Sequence, residues 1–308
     1  MLRLPAAFSP ATVSRVALAN VVANGAIVVT GGAVRLTGSG LGCPTWPRCA
    51  GGSLVPTREL AVHGVIEFSN RMLTFVLTVV VVATVVAVFR SPRRDLRLLA
   101  VLNLLGIPAQ ALLGGMTVLT GLNPWLVAAH FLLSMVLVAI ATILWLRSRE
   151  PGMGTCLLSR PFLLLIRLVG VVTAAVLLVG TVVTGSGPHS GDPGAGRTGL
   201  DPQEVSQAHA DLVFLLIGMT AALLLGLYAT DAPDRVRRAV RDLLVVELAQ
   251  GVVGFVQYFT KLPIALVLLH MLGAVLIAAY TARLLWSVRG PASDLPLDSP
   301  AHAAPASR

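Results

Sequence analysis

Four histidines lie at similar distances after a proline, each at the start of a long apolar segment; the distance is seven residues in three cases and six in the fourth. Proline is favoured in the first turn of a helix, because its missing N–H needs no partner there. Each histidine is therefore predicted about two turns inside a membrane helix. Histidine is rare in hydrocarbon and usually marks a site, so two per half of the chain indicate two pairs of axial ligands for planar metal cofactors. The pairs of residues are Pro56 and His63, Pro124 and His130, Pro202 and His209, and Pro263 and His270.

These positions presuppose helices that span a membrane. Of the 308 residues, 56% are hydrophobic and only 12% are charged, and the mean hydropathy is +0.84. This composition is far from that of a soluble protein. Eight segments are long enough to cross about 30 Å of hydrocarbon, which predicts an all-α membrane protein with eight transmembrane helices. The segments are 14–36, 64–89, 96–119, 124–146, 161–185, 205–229, 239–259 and 263–286.

The distribution of arginine predicts the orientation of these helices. Most arginines fall at the N-terminus, in the C-terminal tail and in loops such as RSPRRDLR (90–97) and DRVRR (234–238). Because cytoplasmic loops carry an excess of Lys and Arg, both termini are expected in the cytoplasm, with the four histidines toward the outer face of the cell membrane. The same rule accounts for the formal net charge of +9. No nucleic-acid-binding motif is present, and lipid is the expected surrounding.

An internal repeat divides the chain into two halves of the same topology. The motif TGSG occurs at 37–40 and at 184–187, and the stretch 110–135 is similar to 250–275. An even number of helices per half gives a parallel repeat with a pseudo-two-fold axis along the membrane normal. We therefore expect two four-helix bundles, each able to hold a cofactor between facing helices. The expected units are an N-terminal half (14–147), a C-terminal half (161–287) and a disordered tail rich in Pro, Ala and Ser (288–308).

Glu67 is an acid within an apolar helix, where a carboxylate is costly unless it is paired or used. One interpretation is a salt bridge with Arg71, four residues later. The other is a functional group that accepts a proton or stabilises a charged intermediate. The spacing leaves both open.

Cys43 and Cys49 share one outer loop, CPTWPRC. Because the outer compartment is oxidising, a disulfide is expected, with two free thiols or a redox-active pair as the alternatives. Cys156 is expected on the cytoplasmic side as a reduced thiol. Zinc is not expected, because two cysteines without a nearby histidine fall short of a closed site.

Together these motifs resemble the heme A synthase family. The resemblance rests on GSGLGCP (38–44) with its paired cysteines, IEFSNR (66–71), GPHSGD (187–192) and the four spaced histidines, and it covers roughly residues 14–286. Members of that family are membrane oxidoreductases that oxidise the C8 methyl group of heme O to a formyl group, which gives heme A for cytochrome oxidase. The resemblance implies a resident heme b in the C-terminal half and the substrate, heme O, in the N-terminal half.

Matching the family position by position implies roles for particular residues. His209 and His270 would be the axial ligands of the heme b iron, and His130 a ligand of the substrate iron. Glu67 would be the required catalytic acid. The resemblance also implies an electron donor, which the residues do not identify, and heme O synthase is a candidate partner.

The chain departs from the family at one position on the second helix. The family pattern is Glu-x-x-His-Arg, whereas this chain has Glu67-x-x-Asn70-Arg71. His63 lies on the same helical stripe, about 10 Å nearer the outer surface. Because a carboxamide is a poor substitute for imidazole, His63 is expected to be the second ligand of the substrate iron. The alternative is an iron held from one side only.

Two arginines and a histidine near the outer face are further candidates for contact with heme, and two other functions are possible. Arg35 and Arg71 lie at outer helix ends, where they either contact heme propionates or are ordinary interfacial arginines. His189 either lies over the heme edge or is a solvated loop residue. A b-type membrane cytochrome that transfers electrons and a heme transporter are the alternative functions. The cytochrome would not need an acid at position 67, and a transporter would show helices broken at the midplane of the membrane.

Overall fold

Eight long helices make up the structure, a computed structural model that describes residues 8–150 and 154–290. All eight predicted spans coincide with these helices, and the largest difference is at the start of α7, which begins at Asp234 rather than residue 239. The helices are α1 Pro10–Leu36, α2 Ala61–Phe89, α3 Arg97–Leu119, α4 Pro124–Ser148, α5 Arg160–Ser186, α6 Pro202–Ala229, α7 Asp234–Phe259 and α8 Ile264–Ser287.

The predicted prolines begin three of the four histidine-bearing helices. Pro124 and Pro202 are the first residues of α4 and α6, and Pro263 directly precedes α8. The side chains of Asn123 and Asp201 accept hydrogen bonds from N–H groups in the first turns of α4 and α6. Such caps satisfy donors that have no partner inside the helix.

Helix α2 is the exception, and the prediction that Pro56 begins it is wrong. A single 3-10 turn occupies Arg58–Leu60, and Ala61 has a positive φ of 47°. This left-handed residue separates the turn from the regular helix that follows. His63 therefore lies in the first turn of α2 instead of two turns inside it.

The contacts between helices are those of two equivalent bundles. α1 to α4 pack in a ring, with α1 against α2 and α4 and with α3 against α2 and α4. α5 to α8 repeat that pattern. Between the bundles, α4 packs against α8, while α1 packs against α8 and α5 against α4. These contacts exchange under a two-fold operation that relates α1 to α5 and α4 to α8, as expected for a parallel repeat.

The outward faces of the helices suit a lipid environment, and the protein is a multi-pass membrane protein. Within the described residues, seven helices are long and apolar enough to cross a membrane, by length and composition. α7 is not among them, because its N-terminal half carries a cluster of charged residues. Large apolar side chains such as Val79, Leu225 and Phe259 are about 70% exposed on the outward faces.

The two bundles are joined at the end predicted to be cytoplasmic by Glu150, just after α4. Its Oε1 accepts from Nη2 of Arg235 at 2.6 Å, and its Oε2 accepts from Nε1 of Trp286 at 3.0 Å. Its carbonyl accepts from Nη1 of Arg93 at 2.6 Å. One residue thus connects the α2–α3 loop with α7 and α8.

Interlocked loops join the bundles at the opposite end. Arg35, at the end of α1, donates from Nε to the carbonyl of His189 and from Nη2 to the carbonyl of Thr184. The N–H of Gly40 donates to the carbonyl of Gly191 at 2.8 Å. Arg35 is therefore bonded to the other half of the chain.

A short β pair closes the predicted cytoplasmic side. Thr155–Cys156 (β1) pairs antiparallel with Arg289–Gly290 (β2). The disordered tail is predicted to begin at residue 288, whereas residues 289 and 290 form this strand. The rest of the tail, residues 291–308, lies outside the described part of the chain.

Replacing Glu150 with alanine is expected to lower the free energy of unfolding by about 1 to 3 kcal/mol, because the carboxylate that binds Arg235 of α7 and Trp286 of α8 is lost, while the backbone bond to Arg93 is kept. Thermal unfolding in detergent measures this. Glu59→Ala is the matched control, since the side chain of Glu59 is exposed and forms no hydrogen bond or ion pair with any residue that the structure describes. Equal unfolding temperatures for the two variants would contradict a joining role for Glu150.

Candidate functional site

Three of the four predicted histidines pack against a glycine on the preceding helix. A Cβ atom placed on these glycines would lie between 3.0 and 3.3 Å from Cε1 of the imidazole, closer than ordinary contact. Any larger residue would therefore force the imidazole or the helix to shift by a few tenths of an ångström. The pairs are Gly114 with His130 (α3 and α4), Gly180 with His209 (α5 and α6), and Gly254 with His270 (α7 and α8).

The ring nitrogens of these three histidines are free of protein partners. In each ring Nδ1 is enclosed and has no hydrogen bond within the described residues. Nε2 also makes no hydrogen bond, but it is not enclosed. The Val176 carbonyl is the polar group near the His209 ring, outside hydrogen-bonding geometry. An accessible, unpartnered Nε2 is the atom that a metal ion would bind.

Two of these histidines each accept a hydrogen bond from a glutamine at their backbone carbonyl. Gln110 donates from Nε2 to the carbonyl of His130 at 3.1 Å, and Gln250 donates in the same way to the carbonyl of His270 at 2.7 Å. Both glutamines lie in the repeated stretches 110–135 and 250–275. The two halves thus hold equivalent histidines by equivalent contacts.

The C-terminal bundle brings its two histidines together. His209 of α6 packs against Gly180 of α5, and His270 of α8 packs against Gly254 of α7. Both rings therefore lie within one bundle, in which α5 contacts α8 and α6 contacts α7. Two imidazoles on opposite sides of one iron are the ligand set expected for a low-spin heme.

The N-terminal bundle has asparagine in the fourth position. A Cβ atom on Gly31 of α1 would lie 3.8 Å from Nδ2 of Asn70 on α2, so this pair resembles the three glycine–histidine pairs, at the longer distance of ordinary contact. His63 lies elsewhere, at the outer end of α2, where its Nδ1 is 2.9 Å from Oγ of Ser39. The structure therefore places Asn70, and not His63, across from the first-helix glycine.

Glu67 anchors the outer loop through both carboxylate oxygens. It is only 6% exposed. Its Oε2 accepts from the N–H of Cys43 at 2.6 Å, and its Oε1 accepts from Nη2 of Arg71 at 2.5 Å. Arg71 also donates to the carbonyls of Cys43, Thr45 and Arg48. The predicted salt bridge is present, and it binds the loop that carries the cysteines.

That loop contains the predicted disulfide between Cys43 and Cys49 and covers part of the N-terminal bundle. Trp46 lies at its centre, and a Cβ atom on Gly115 of α3 would overlap the indole. Gly115 directly follows the glycine against which His130 packs. The loop therefore packs against the same turn of α3 as His130 does.

Residues 14–189, more than half of the chain, match the family described as cytochrome oxidase assembly protein. The chain belongs to this family. The matched stretch includes the loop, Glu67, Asn70 and His130. His209 and His270 lie beyond it, so their assignment depends on the internal repeat and on their contacts.

Relatives named heme A synthase match parts of the chain. The relative from Listeria welshimeri is 37% identical over 122 residues, which is 38% of this chain and 40% of the relative. The relative from Bacillus pumilus is 37% identical over 140 residues, 44% of this chain and 45% of the relative. The chain thus spans less than half the length of these relatives.

In this family member, the loop after α5 brings charged groups to the outer end. His189 lies there, and Arg197 donates to the carbonyls of Gly187 and Pro188. Partial burial, together with the positive charges of Arg35 and Arg197, holds the pKa of His189 below its ordinary value. His189 is therefore predominantly neutral at neutral pH.

Sequence reasoning missed a second buried acid in the C-terminal bundle. Glu247 on α7 is 2% exposed. Its Oε1 accepts from Thr220 at 3.0 Å, and its Oε2 has no partner in the part of the chain that the structure describes. The argument applied to Glu67 would have identified it, since both are acids within apolar stretches. The four glycines were missed because glycine is common in membrane helices.

Replacing Arg71 with alanine is expected to destabilise the protein by about 3 kcal/mol, because it leaves the carboxylate of Glu67 enclosed without its cation. The disulfide should also be reduced faster by dithiothreitol, since the loop loses three bonds from the guanidinium. Thermal unfolding and thiol labelling after timed reduction measure both effects. Arg58→Ala, an exposed change in the same region, is the control. Unchanged reduction in Arg71→Ala would contradict the anchoring role.

Proposed function

We propose that this protein is a heme A synthase. The observation that carries the proposal is the pair His209 and His270, which pack against glycines of one four-helix bundle and have accessible Nε2 atoms. Membership of a cytochrome oxidase assembly family and relatives named heme A synthase support it. No relative quoted above is named as an electron-transfer cytochrome or a transporter, so those alternatives are not favoured.

The proposed reaction converts the C8 methyl group of heme O to a formyl group. If the oxygen atom comes from water, one methyl group and one water molecule give one formyl group, four protons and four electrons. An oxidant must accept the electrons, and groups near the substrate must accept protons. The outer half of the N-terminal bundle supplies the acid Glu67 for this purpose.

The proposed resident cofactor is heme b, bound in the C-terminal bundle. The donor set fits this group: two imidazoles of neighbouring helices present unpartnered nitrogens, and glycines leave room beside both rings. When bound, heme b supplies one-electron transfer. Gln250 keeps the helix of His270 in register by its bond to the His270 carbonyl.

The proposed substrate site is in the N-terminal bundle, with His130 as an iron ligand. The disulfide loop lies over this bundle, with Trp46 packed against Gly115 of α3. The carboxylate of Glu67 is held by Cys43 and Arg71, so a proton released at the substrate methyl would meet a fixed acceptor. The sequence suggests His63 as the second ligand of the substrate iron, and the structure places this residue at the outer end of α2, beside Ser39.

Propionate binding by the two outer arginines also stays a proposal. Arg71 already donates from Nε, Nη1 and Nη2 to protein groups. Arg35 donates from Nε and Nη2, which leaves Nη1 for a substrate carboxylate. The proposed location is the cell membrane, with both termini in the cytoplasm and this region at the outer face. Heme O synthase and an electron donor are the proposed partners.

Replacing Gly180 with valine is expected to remove most of the low-spin heme b spectrum, as His209→Ala and His270→Ala should, because the new side chain occupies the space of the His209 ring. Gly218→Val is the matched control: it puts the same residue in a membrane helix, where a Cβ atom meets nothing within 4 Å. Optical spectra of purified protein measure the heme. Full heme b in Gly180→Val, with both alanine variants also unchanged, would disprove the assignment.

Replacing Glu67 with glutamine should retain heme b but lower conversion of heme O to heme A by about 100-fold or more, because the amide cannot accept the proton. Extracted hemes separated by chromatography measure the product. The thermal stability of the variant serves as the control, since the amide still accepts from the Cys43 N–H. Wild-type turnover would restrict Glu67 to its structural role.

A further inference from the structure

Asn70 occupies the place that an imidazole has in the other three helix pairs. We infer that the substrate site binds heme iron through His130 alone, and that the open side of the iron, beside Asn70, is a binding site for a neutral diatomic ligand such as dioxygen or carbon monoxide. This inference rests on the proposed function, since it needs a heme in the N-terminal bundle.

The side chain of Asn70 is oriented by its neighbour on α1. Oγ1 of Thr30 is 2.8 Å from Oδ1 of Asn70, which uses the acceptor end of the amide. Nδ2 lies toward Gly31 and makes no hydrogen bond to any residue that the structure describes. The amide therefore keeps a free N–H donor at the position where the repeat places a ligand nitrogen.

A carboxamide in this position changes the chemistry of the iron. Neutral imidazole is a strong ligand of heme iron, whereas a carboxamide nitrogen has no available lone pair and serves only as a donor. Iron held by His130 alone is therefore five-coordinate. A polar distal pocket with a hydrogen-bond donor favours binding of a diatomic ligand.

His63 is held away from this position. It lies seven residues before Asn70, about 10 Å along the helix axis. Its Nδ1 is within hydrogen-bonding distance of Ser39. The ring lines a cavity of about 410 Å³ at the outer end, together with Thr37, Gly42 and Asp192. Reaching an iron beside Gly31 would require α2 to slide inward by nearly two turns, against the bonds of Glu67 to the outer loop.

The test uses the purified full-length protein with its heme b, to which one equivalent of iron protoporphyrin is added under reducing conditions. The ferrous protein is then exposed to carbon monoxide. We expect the added heme to bind and to form a carbon monoxide complex, while the six-coordinate heme b does not react. His130→Ala should lose this complex.

Two substitutions of Asn70 separate ligation from hydrogen bonding. Asn70→His should convert the added heme to a six-coordinate low-spin form and abolish carbon monoxide binding. Asn70→Leu should keep the complex but raise the C–O stretching frequency, because the N–H donor is lost. Ser69→His is the matched control: it introduces the same imidazole at the adjacent, exposed position and should leave carbon monoxide binding unchanged.

Three results would overturn the inference. If the wild-type protein binds the added heme in a low-spin form that ignores carbon monoxide, and His63→Ala makes it reactive, then His63 is the sixth ligand and the proposed function stands. If the added heme does not bind at all, the substrate site and the proposed function both fail. An unchanged C–O stretching frequency in Asn70→Leu would show that Asn70 does not donate a hydrogen bond to the bound carbon monoxide.

Discussion

The packing of an imidazole against a glycine of the preceding helix is the contact on which the arrangement of this protein depends. Three helix pairs share it, and each places an unpartnered ring nitrogen beside the space between helices. A side chain on the glycine would separate the helices or displace the ring, and both would move the nitrogen from the position that ligation requires. The glycines therefore determine the depth and direction of the histidines as much as the histidine-bearing helices do.

The outer loop depends on a second interaction, the pairing of Glu67 with Arg71. Burial of a carboxylate in a membrane helix is costly, and here the cost is offset by a cation and a backbone N–H. The same bonds hold the disulfide loop over the N-terminal bundle, so an anchoring role and a proton-accepting role are compatible.

The repeat lets the two halves be compared by contact instead of by spacing along the chain. The distance from the preceding proline predicts that His63 is equivalent to His209. This prediction is wrong, because a 3-10 turn and the positive φ of Ala61 lie between Pro56 and the regular part of α2. Contact with the first-helix glycine puts Asn70 there instead. Spacing from a proline locates a residue only if the helix begins at that proline, and the longer loop before α2 breaks this condition.

The sequence by itself determined the eight helices, the two repeated halves and the disulfide pair, because hydrocarbon requires long apolar segments and a short loop leaves two cysteines close together. It also identified Glu67 and the histidines as unusual residues. Only the tertiary structure decided which groups meet: the glycines behind the imidazoles, the glutamines that bond to the carbonyls of His130 and His270, and Thr220, which bonds to the buried acid Glu247. The physical reason is that apolar periodicity specifies where a helix lies in the membrane, whereas its rotation and its neighbours are set by packing between helices.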